Sequence, residues 1–251
     1  MSKNFVILLP PSEGKEAGGK RKVTLGAFDA QLRSARSDVR DALGVFLKSA
    51  SKIELEKLLK VRGPLLERAV ESSQLIAAGK PLLLPAYQRY SGVVWEHLAP
   101  DELSVSKRKQ LLIPSGLYGL SMGEDLIADY RLKMDVNLAG IGILSKFWKP
   151  FVTATLIKKY AKTTIVNLLP KEHEASIDFE ELARHSHVVT IDFVDSSGSG
   201  AAGHAAKAAK GKVARWLLDE GLASFADFTW EGWKVSQKKD KFIVRAPKAK
   251  K

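Results

Sequence analysis

The chain has 251 residues, of which 45% are hydrophobic and 27% charged, a composition typical of globular proteins and not of disordered or collagen-like chains. It contains no cysteine, which excludes disulfides, thiol catalysis and cysteine-ligated zinc or iron–sulfur sites. The first apolar run ends at Leu9 without the features of a signal peptide, and no run approaches the roughly 18 apolar residues of a membrane span. We therefore expect a cytoplasmic protein that does not enter a membrane.

Positive charge dominates the chain, with 40 Lys and Arg against 28 Asp and Glu, a net charge of +12. Residues 234–251 hold seven Lys and one Arg against one Asp, so this stretch carries +7 and the rest of the chain only +5. Such an excess favours a polyanionic partner. A short basic tail, here 246–251, is also typical of a solvated chain end, so a nucleic-acid interface has to be sought within the folded elements.

Four short apolar runs rich in branched residues predict buried strands, at residues 5–9, 110–114, 164–169 and 187–193. Helical patterns lie at 28–49 and 178–184, and residues 230–235 and 241–245 have the pattern of a final hairpin of edge strands. This interleaving favours an α/β (mixed α+β) fold, with a central, mainly buried sheet and helices around it. No repeat or low-complexity linker divides the chain, so we expect a single compact domain over 1–251.

Residues 51–78 have the pattern of a helix–hairpin–helix element. Ser51 and Glu54 form a capping box, and the short turn 60–63 leads to Pro64 at the first position of a second helix. A helix N-terminus attracts phosphate, so the turn supplies three candidate DNA contacts, Lys60, Arg62 and Gly63. The usual pair of turn glycines is incomplete here, and plain helix packing is the alternative explanation.

The late segment 203–218 predicts an amphipathic helix with one broad basic face and one face of alanines and larger apolar residues. Its basic face is the main candidate for contact with DNA, formed by Lys207, Lys210, Lys212, Arg215 and Gly211. Glycine inside a helix costs about 1 kcal/mol against alanine, and close approach of a phosphate backbone would explain that loss. The alternative is an ordinary solvated face.

Polar loops follow the predicted strands. If the first, third and fourth strands are parallel neighbours, these loops converge at the crevice where open α/β sheets bind ligands. We expect a candidate pocket there for a phosphate or a nucleotide, lined by Ser12, Lys15, Ser115, Tyr130, Arg131 and Glu172. The loop PPSEGK at 10–15 lacks the spacing of a nucleoside-triphosphate loop, and helix capping by the same polar residues is the alternative.

Known catalytic and metal-binding patterns are absent from the sequence. It contains no HExxH and no GxSxG, and Asp125, Asp129 and Asp135 share no known ligand spacing. We therefore predict no cofactor and no bound iron or other metal. Enzymatic activity stays open, because Tyr130 or Glu172 could move protons but would need partners that the sequence does not reveal.

Several motifs together resemble the YaaA peroxide-stress protein family. They are the loop PPSEGK, YSGVVW at 90–95, PSGLYGLSMGEDLIADYRLKMDV at 114–136, the pair Phe147-Trp148, and NLLPKEH at 167–173. The resemblance covers essentially the whole chain, and its most specific part is SGLYG followed by Asp125 and YRLKM. The family's N-terminal loop is often of the SPAKT type, so the lysine of this loop is shifted here.

The resemblance implies an α/β domain with a positively charged cleft and a helix–hairpin–helix-like element. It also implies binding to double-stranded DNA, bent or branched forms included, and protection of DNA against hydrogen peroxide and free iron. The leading hypothesis is therefore binding to the DNA backbone without sequence specificity, by the basic helix with Lys15, Arg131 and the 60–63 turn. The alternative is an enzyme or binder of a nucleotide or phosphorylated small molecule in the strand-end crevice.

Overall fold

The computed structural model describes residues 5–21 and 25–248. Its strands are β1 (Phe5–Leu8), β2 (Leu83–Pro85), β3 (Leu111–Ser115), β4 (Gly119–Met122), β5 (Leu126–Ala128), β6 (Asn137–Leu138), β7 (Gly142–Ile143), β8 (Thr164–Asn167), β9 (His187–Val194), β10 (Thr229–Trp230), β11 (Trp233–Lys238) and β12 (Lys241–Arg245). Of the predicted basic tail, residues 246–248 follow β12 without regular structure, and 249–251 lie outside the described residues.

The helices are α1 (Asp29–Ser49), α2 (Lys52–Leu59), α3 (Pro64–Ala77), α4 (Ala86–Arg89), α5 (Val93–Leu98), α6 (Val105–Arg108), α7 (Leu144–Tyr160), α8 (Lys171–Glu174), α9 (Phe179–Ala183) and α10 (Gly203–Glu220). Short 3-10 helices lie at Pro100–Glu102 and Leu222–Asp227. Within 5–21 and 25–248, none of the helices is long and apolar enough to cross a membrane.

A large mixed sheet organises the fold, in the strand order β10-β11-β12-β9-β8-β1-β3-β4. The five strands from β12 to β3 run parallel, and β4 and the β10–β11 pair extend the sheet antiparallel at its two ends. The runs predicted as strands are β1, β3, β8 and β9, and helices surround the sheet, which confirms the predicted mixed α/β class. β1 is buried along its whole length, as expected for a central parallel strand with both faces covered.

The C-terminal hairpin forms, but its place in the sheet differs from the prediction. β11 and β12 pair antiparallel around the predicted turn, yet β12 also pairs in parallel with β9. The expectation of two edge strands is therefore wrong. β12 lies between β11 and β9, and the side chains of Phe242 and Val244 are buried against the protein core. The strand predicted at 230–235 is also interrupted, by a turn in which Glu231 and Gly232 both have positive φ.

Residues 52–77 form the predicted pair of helices. The Ser51 hydroxyl accepts the Glu54 N–H, and the Glu54 carboxylate accepts the Ser51 N–H at 2.7 Å, which completes the capping box. Lys60 ends α2 in the left-handed conformation (φ 52°), and Gly63 (φ 58°) precedes Pro64 at the start of α3. α3 packs against α1 and α2. The use of this hairpin for DNA binding stays a prediction.

α10 packs closely against α5, and Gly211 makes this contact possible. A Cβ on Gly211 would lie 2.3 Å from the carbonyl oxygen of Val94 and 2.8 Å from the Cβ of His97. The expectation that Gly211 lies on an exposed basic face and admits a phosphate is therefore wrong, because the neighbouring helix occupies that space. Other residues of α10 are buried as predicted, among them Ala206, Ala209, Val213 and Leu217.

Replacing Gly211 by Ala should destabilise the fold, although alanine is the better helix former. The added methyl group meets a backbone carbonyl of α5, and overpacking that shifts backbone costs about 1–3 kcal/mol or more, against roughly 1 kcal/mol gained in helix propensity. At this short distance we expect a net loss of about 2 kcal/mol in the free energy of unfolding, measured by urea denaturation. His204→Ala, at an exposed position of α10, is the control, and an unchanged stability for G211A would contradict the close contact.

Candidate functional site

A cavity of about 560 Å³ lies at the carboxyl ends of the parallel strands. Its wall includes the loop 10–15 after β1, Gly116 after β3, residues 170–173 after β8, and residues 201–203 at the start of α10. β8 and β3 lie on opposite sides of β1, so the strand order reverses at β1. Open α/β sheets bind ligands in the crevice at such a point. The volume is that of a small-molecule site.

Most residues predicted for a ligand pocket meet in this cavity, namely Ser12, Lys15, Tyr130, Arg131 and Glu172. Ser115 does not line it. Its side chain is buried at the end of β3, and its hydroxyl accepts the Tyr118 N–H at 3.0 Å. Ser115 therefore stabilises the turn behind the wall, and its neighbour Gly116 takes the predicted place at the cavity.

The basic residues of α10 do not form one continuous face. Two of them line the cavity and two lie outside it, namely Lys207 and Lys210 against Lys212 and Arg215. The Arg215 guanidinium donates to two carboxylates, Glu102 at 2.8 Å and Asp219 at 2.6 Å. The expectation of one outward basic row is therefore wrong, because α5 packs against the middle of that face at Gly211 and acidic neighbours neutralise Arg215.

The predicted hairpin contacts lie at the border of the cavity. Leu59 at the end of α2 reaches its wall, but the next residue, Lys60, donates to the Asp135 carboxylate at 2.5 Å. Arg62 is largely exposed, and Gly63 serves to begin α3. The hairpin residues are thus separate from the cations that meet inside the cavity.

Lys15 is almost fully buried in the cavity wall. Its amine donates to the carbonyl oxygen of Ser12 at 2.6 Å, and its Nζ lies 4.3 Å from the centre of the Tyr130 ring and 5.3 Å from that of Tyr90. Burial, assisted by the charge of Arg131, lowers the pKa of Lys15 to about 7. A large fraction of this amine is therefore neutral at physiological pH.

Aromatic side chains hold the loop that carries Lys15. The hydroxyls of Tyr90 and Tyr130 share a hydrogen bond of 2.7 Å, and burial raises the pKa of both phenols, so both stay protonated. The Tyr90 ring packs on Trp95 with 5.0 Å between ring centres, and the Trp95 indole N–H donates to the carbonyl of Pro10 at 3.2 Å. The loop is thereby fixed at both of its ends.

Lys210 is a second, partly buried lysine of the cavity. Its amine donates to the carbonyl oxygen of Leu168 at 2.6 Å, and its Nζ lies 5.3 Å from the centre of the Phe193 ring. Burial lowers the pKa of Lys210 to about 8, although the carboxylates of Glu174 and Asp192 oppose the shift. Two lysines thus enter the cavity, one from the loop after β1 and one from α10.

His173 in α8 lines the cavity as a buried, neutral ring. The residue is only 8% exposed, and within the described part of the chain its Nδ1 is buried without a hydrogen-bond partner. A Glu172 carboxylate oxygen lies 3.3 Å away, without the alignment of a hydrogen bond. Burial and the charge of Lys210 lower the pKa of His173 to about 4, so the ring adds no charge to the wall.

Further charged side chains line the cavity. Lys133 pairs with Glu13 at 2.5 Å, and this contact lowers the pKa of the Glu13 carboxyl. Arg131 and Lys207 also line the cavity, and neither forms an ion pair with a residue that the structure describes. With the two buried lysines, five lysine and arginine side chains face the carboxylates of Glu13 and Glu172. The balance at the wall is therefore positive.

α10 begins at the cavity without a side-chain cap. Its N-cap residue, Ala202, has no side chain that can accept a hydrogen bond, and residues 201–203 line the wall. The first N–H groups of an α-helix lack partners within the helix and carry the positive end of its dipole. This 18-residue helix thus offers both donors and a positive potential to an anion in the cavity.

Residues 5–239 match the family model described as peroxide stress protein YaaA. The chain belongs to the YaaA peroxide stress protein family. The match covers the whole cavity wall, and it confirms the family resemblance seen in the sequence motifs. Membership supports a role in oxidative stress for this chain.

Similar proteins from several bacteria carry the name UPF0246 protein. The chain is 29% identical over 208 residues to that of Phocaeicola vulgatus, covering 78% of this chain and 81% of the relative. It is 28% identical over 226 residues to that of Streptomyces coelicolor, covering 87% and 85%. It is 30% identical over 187 residues to that of Francisella tularensis subsp. novicida, covering 69% and 73%. These names state no ligand, so the chemistry has to be argued from the cavity.

Lys133 and His173 belong to the cavity, but neither stands out in the sequence. In 130–134, buried residues alternate with Arg131 and Lys133, and the period of two in this extended segment is a signal that could have found Lys133. His173 lies in the polar segment after β8, which the strand pattern places at the crevice. Its burial and its missing partner depend on elements far along the chain, which no local pattern reveals.

No group of three or more metal-ligating side chains occurs in residues 5–21 and 25–248. The three aspartates considered as an oxygen site bind separate partners, so they do not converge. These pairs are Asp125 with the N–H groups of Ala27 and Met122, Asp129 with Arg68, and Asp135 with Lys60. The absence of bound iron stays a prediction, to be checked by metal analysis of protein purified without chelators.

His173 should make stability depend on pH in the acid range. Its pKa is about 4 in the fold against an ordinary value of 6.5, so between these values the unfolded chain binds more protons. The free energy of unfolding should therefore fall as pH drops from 6.5 to 4, by about 3 kcal/mol in all. The charged groups that act on the ring are Lys15, Lys133, Lys210 and Asp135, and the Glu172 carboxylate lies 3.3 Å from its Nδ1.

We expect His173→Gln to remove this dependence, measured by urea denaturation between pH 7 and pH 4. His204→Gln, at an exposed position, is the matched control and should keep the wild-type profile. Parallel profiles for H173Q and the wild type would contradict the assignment of a neutral, buried ring.

Proposed function

We propose that this chain binds the phosphate backbone of double-stranded DNA without sequence specificity, and so protects it during oxidative stress. The observation that carries the proposal is the cavity itself, where five lysine and arginine side chains and an uncapped helix N-terminus meet. Membership of a peroxide stress family supports the same setting. We take the cavity to be the positively charged cleft that such a function requires.

The distribution of charge favours phosphate as the bound group. Arg131 and Lys207 have no ion-pair partner in the described chain, so their charges are available to a ligand, whereas Arg215 is held by two carboxylates. Lysine and arginine contacts to phosphate position a protein on DNA but carry no base information. Binding through these residues should therefore be independent of sequence.

The shape of the cavity favours DNA that is bent or branched. At about 560 Å³ it can take a group of nucleotide size and not a whole duplex. A backbone enters a concave site of this kind more easily where the duplex is kinked or where strands separate. We therefore expect four-way junctions and bent duplexes to bind more tightly than straight duplexes.

The salt dependence of DNA binding should reflect the cationic side chains of the cavity and not the net charge of the protein. With contacts from Arg131, Lys133 and Lys207, raising salt from 50 to 200 mM should weaken binding by about 40-fold, from a slope near −0.9 per contact. The double variant R131A/K207A leaves one of these contacts, so the same change of salt should weaken its binding by only about 3-fold. Fluorescence anisotropy on linear, bent and junction DNA at both salt concentrations measures this.

The double variant R62A/K212A is the matched control, because it removes the same charge from residues that do not line the cavity. It should keep the wild-type slope. Equal losses in the two double variants would mean that binding follows net charge and would remove the cleft from the proposal. A wild-type affinity that hardly changes between the two salt concentrations would remove backbone binding altogether.

A nucleotide or another small phosphorylated molecule is the second candidate, favoured by the cavity volume of about 560 Å³ and by Lys15 and Lys210 in its wall. A thermal-shift panel of nucleotides against short duplexes and junctions separates the two functions. A clear rise in melting temperature with a nucleotide, and none with DNA, would make the small molecule the first candidate and DNA the second.

A further inference from the structure

Lys15 is a buried cation without a counterion in the described chain. Among the described residues, no carboxylate lies within ion-pair distance of its Nζ, and the hydrogen bond that it donates goes to the Ser12 carbonyl. Its other close neighbours are the faces of Tyr130 and Tyr90. Lysine is almost never buried without a charged partner, so packing alone does not account for this residue.

The surroundings of Lys15 favour its neutral amine. Burial is the main cause and the charge of Arg131 adds to it, while the carboxylates of Asp129 and Glu13 oppose the shift. At pH 7 about half of the Lys15 side chains are neutral, against fewer than roughly 0.1% for a lysine with the ordinary pKa. A neutral lysine amine in a desolvated pocket, beside another cation, is the usual form of a lysine nucleophile.

The lining of the cavity indicates which chemical groups a substrate of this nucleophile would have. An amine nucleophile of this kind reacts with an aldehyde or ketone carbonyl. The Arg131, Lys133 and Lys207 side chains and the uncapped start of α10 all line the same wall and favour a phosphate group. A substrate that uses both features carries a carbonyl and a phosphate within one small molecule.

We propose that Lys15 is a catalytic nucleophile that forms an imine with the carbonyl carbon of a phosphorylated aldehyde or ketone held in the cavity. The Nζ lone pair attacks that carbon, and the carbonyl oxygen takes up a proton to give a carbinolamine. The carbinolamine hydroxyl then takes up a second proton and the nitrogen loses both of its protons over the sequence, so the C–O bond breaks with release of water and a C=N bond remains. The step is reversible and needs no oxidant or reductant.

Two sources present this chemistry. One is a free sugar phosphate, and the other is the ring-opened deoxyribose of a DNA site that has lost its base, where the aldehyde lies between two backbone phosphates. The first source does not depend on DNA binding, so the imine can be tested even if the proposed function fails. The second would join the imine to the backbone contacts proposed above.

The test is reductive trapping on the intact wild-type protein. The protein is incubated with ribose 5-phosphate, or with a duplex containing one abasic site, in the presence of sodium cyanoborohydride, and adducts are located by mass spectrometry of peptides. We expect one main adduct, at Lys15, about fivefold above Lys210 at pH 7 from their neutral fractions, and more than about a hundredfold above lysines of ordinary pKa. Unphosphorylated ribose should react more slowly at Lys15, since it lacks the group that the cations hold.

Lys212 supplies the control, because it lies on α10 but does not line the cavity. Lys15→Met should abolish the main adduct, and Lys212→Met should keep it. The yield at Lys15 should rise as pH increases from 6 to 8. The charged and phenolic groups that face Lys15 over this range are Glu13, Arg89, Asp129, Arg131, Tyr90 and Tyr130.

The wild-type map decides the question even if K15M fails to fold. An adduct at Lys15 with either compound supports the imine and identifies its source. The absence of any adduct, adducts spread over surface lysines, or a main adduct at Lys210 would overturn the proposal. Salt-dependent DNA binding of K15M, measured in parallel, shows whether the backbone contacts stand apart from this chemistry.

Discussion

The cost of removing positive groups from water shapes the strand-end cavity more than any other interaction. Lys15, Lys210 and His173 are all withdrawn from solvent around one space, and the pKa of each group is lowered as a result. Carbonyl oxygens and aromatic faces offset part of this cost for the two lysines. The Nδ1 of His173 has no such partner among the described residues, so its burial is a cost that the rest of the fold offsets.

The parallel core of the sheet could be predicted because its signal is local. A strand covered on both faces needs an unbroken apolar run, and β1, β3, β8 and β9 each have one. The polar loops after these runs then had to converge once the strands were parallel, and Ser12, Lys15 and Glu172 do so. The site residues whose position follows from strand order could therefore be predicted from the sequence.

The errors arose where one element meets another. A helical projection of α10 gives the angle of each side chain but not the neighbour that lies there, and α5 packs on the side that carries Gly211. In the same way, alternation in 241–245 shows which side chains are buried but not that β9 pairs with the outer edge of β12. The partners of Arg215 and the burial of His173 also depend on distant segments, which no local pattern reveals.

The glycine contact between α5 and α10 also bears on how the cavity recognises a ligand. At Gly211 the two helices are in contact through backbone atoms, which restricts movement of α10 along α5. The groups on the first turns of α10 are therefore held in place before a ligand binds. Little rotational or sliding freedom is then left to lose on association, which favours affinity through preorganisation. The same rigidity narrows the range of ligand shapes that fit the cavity. Its selectivity among ligands would therefore come from a fixed binding-site geometry more than from side chains that adjust to the ligand.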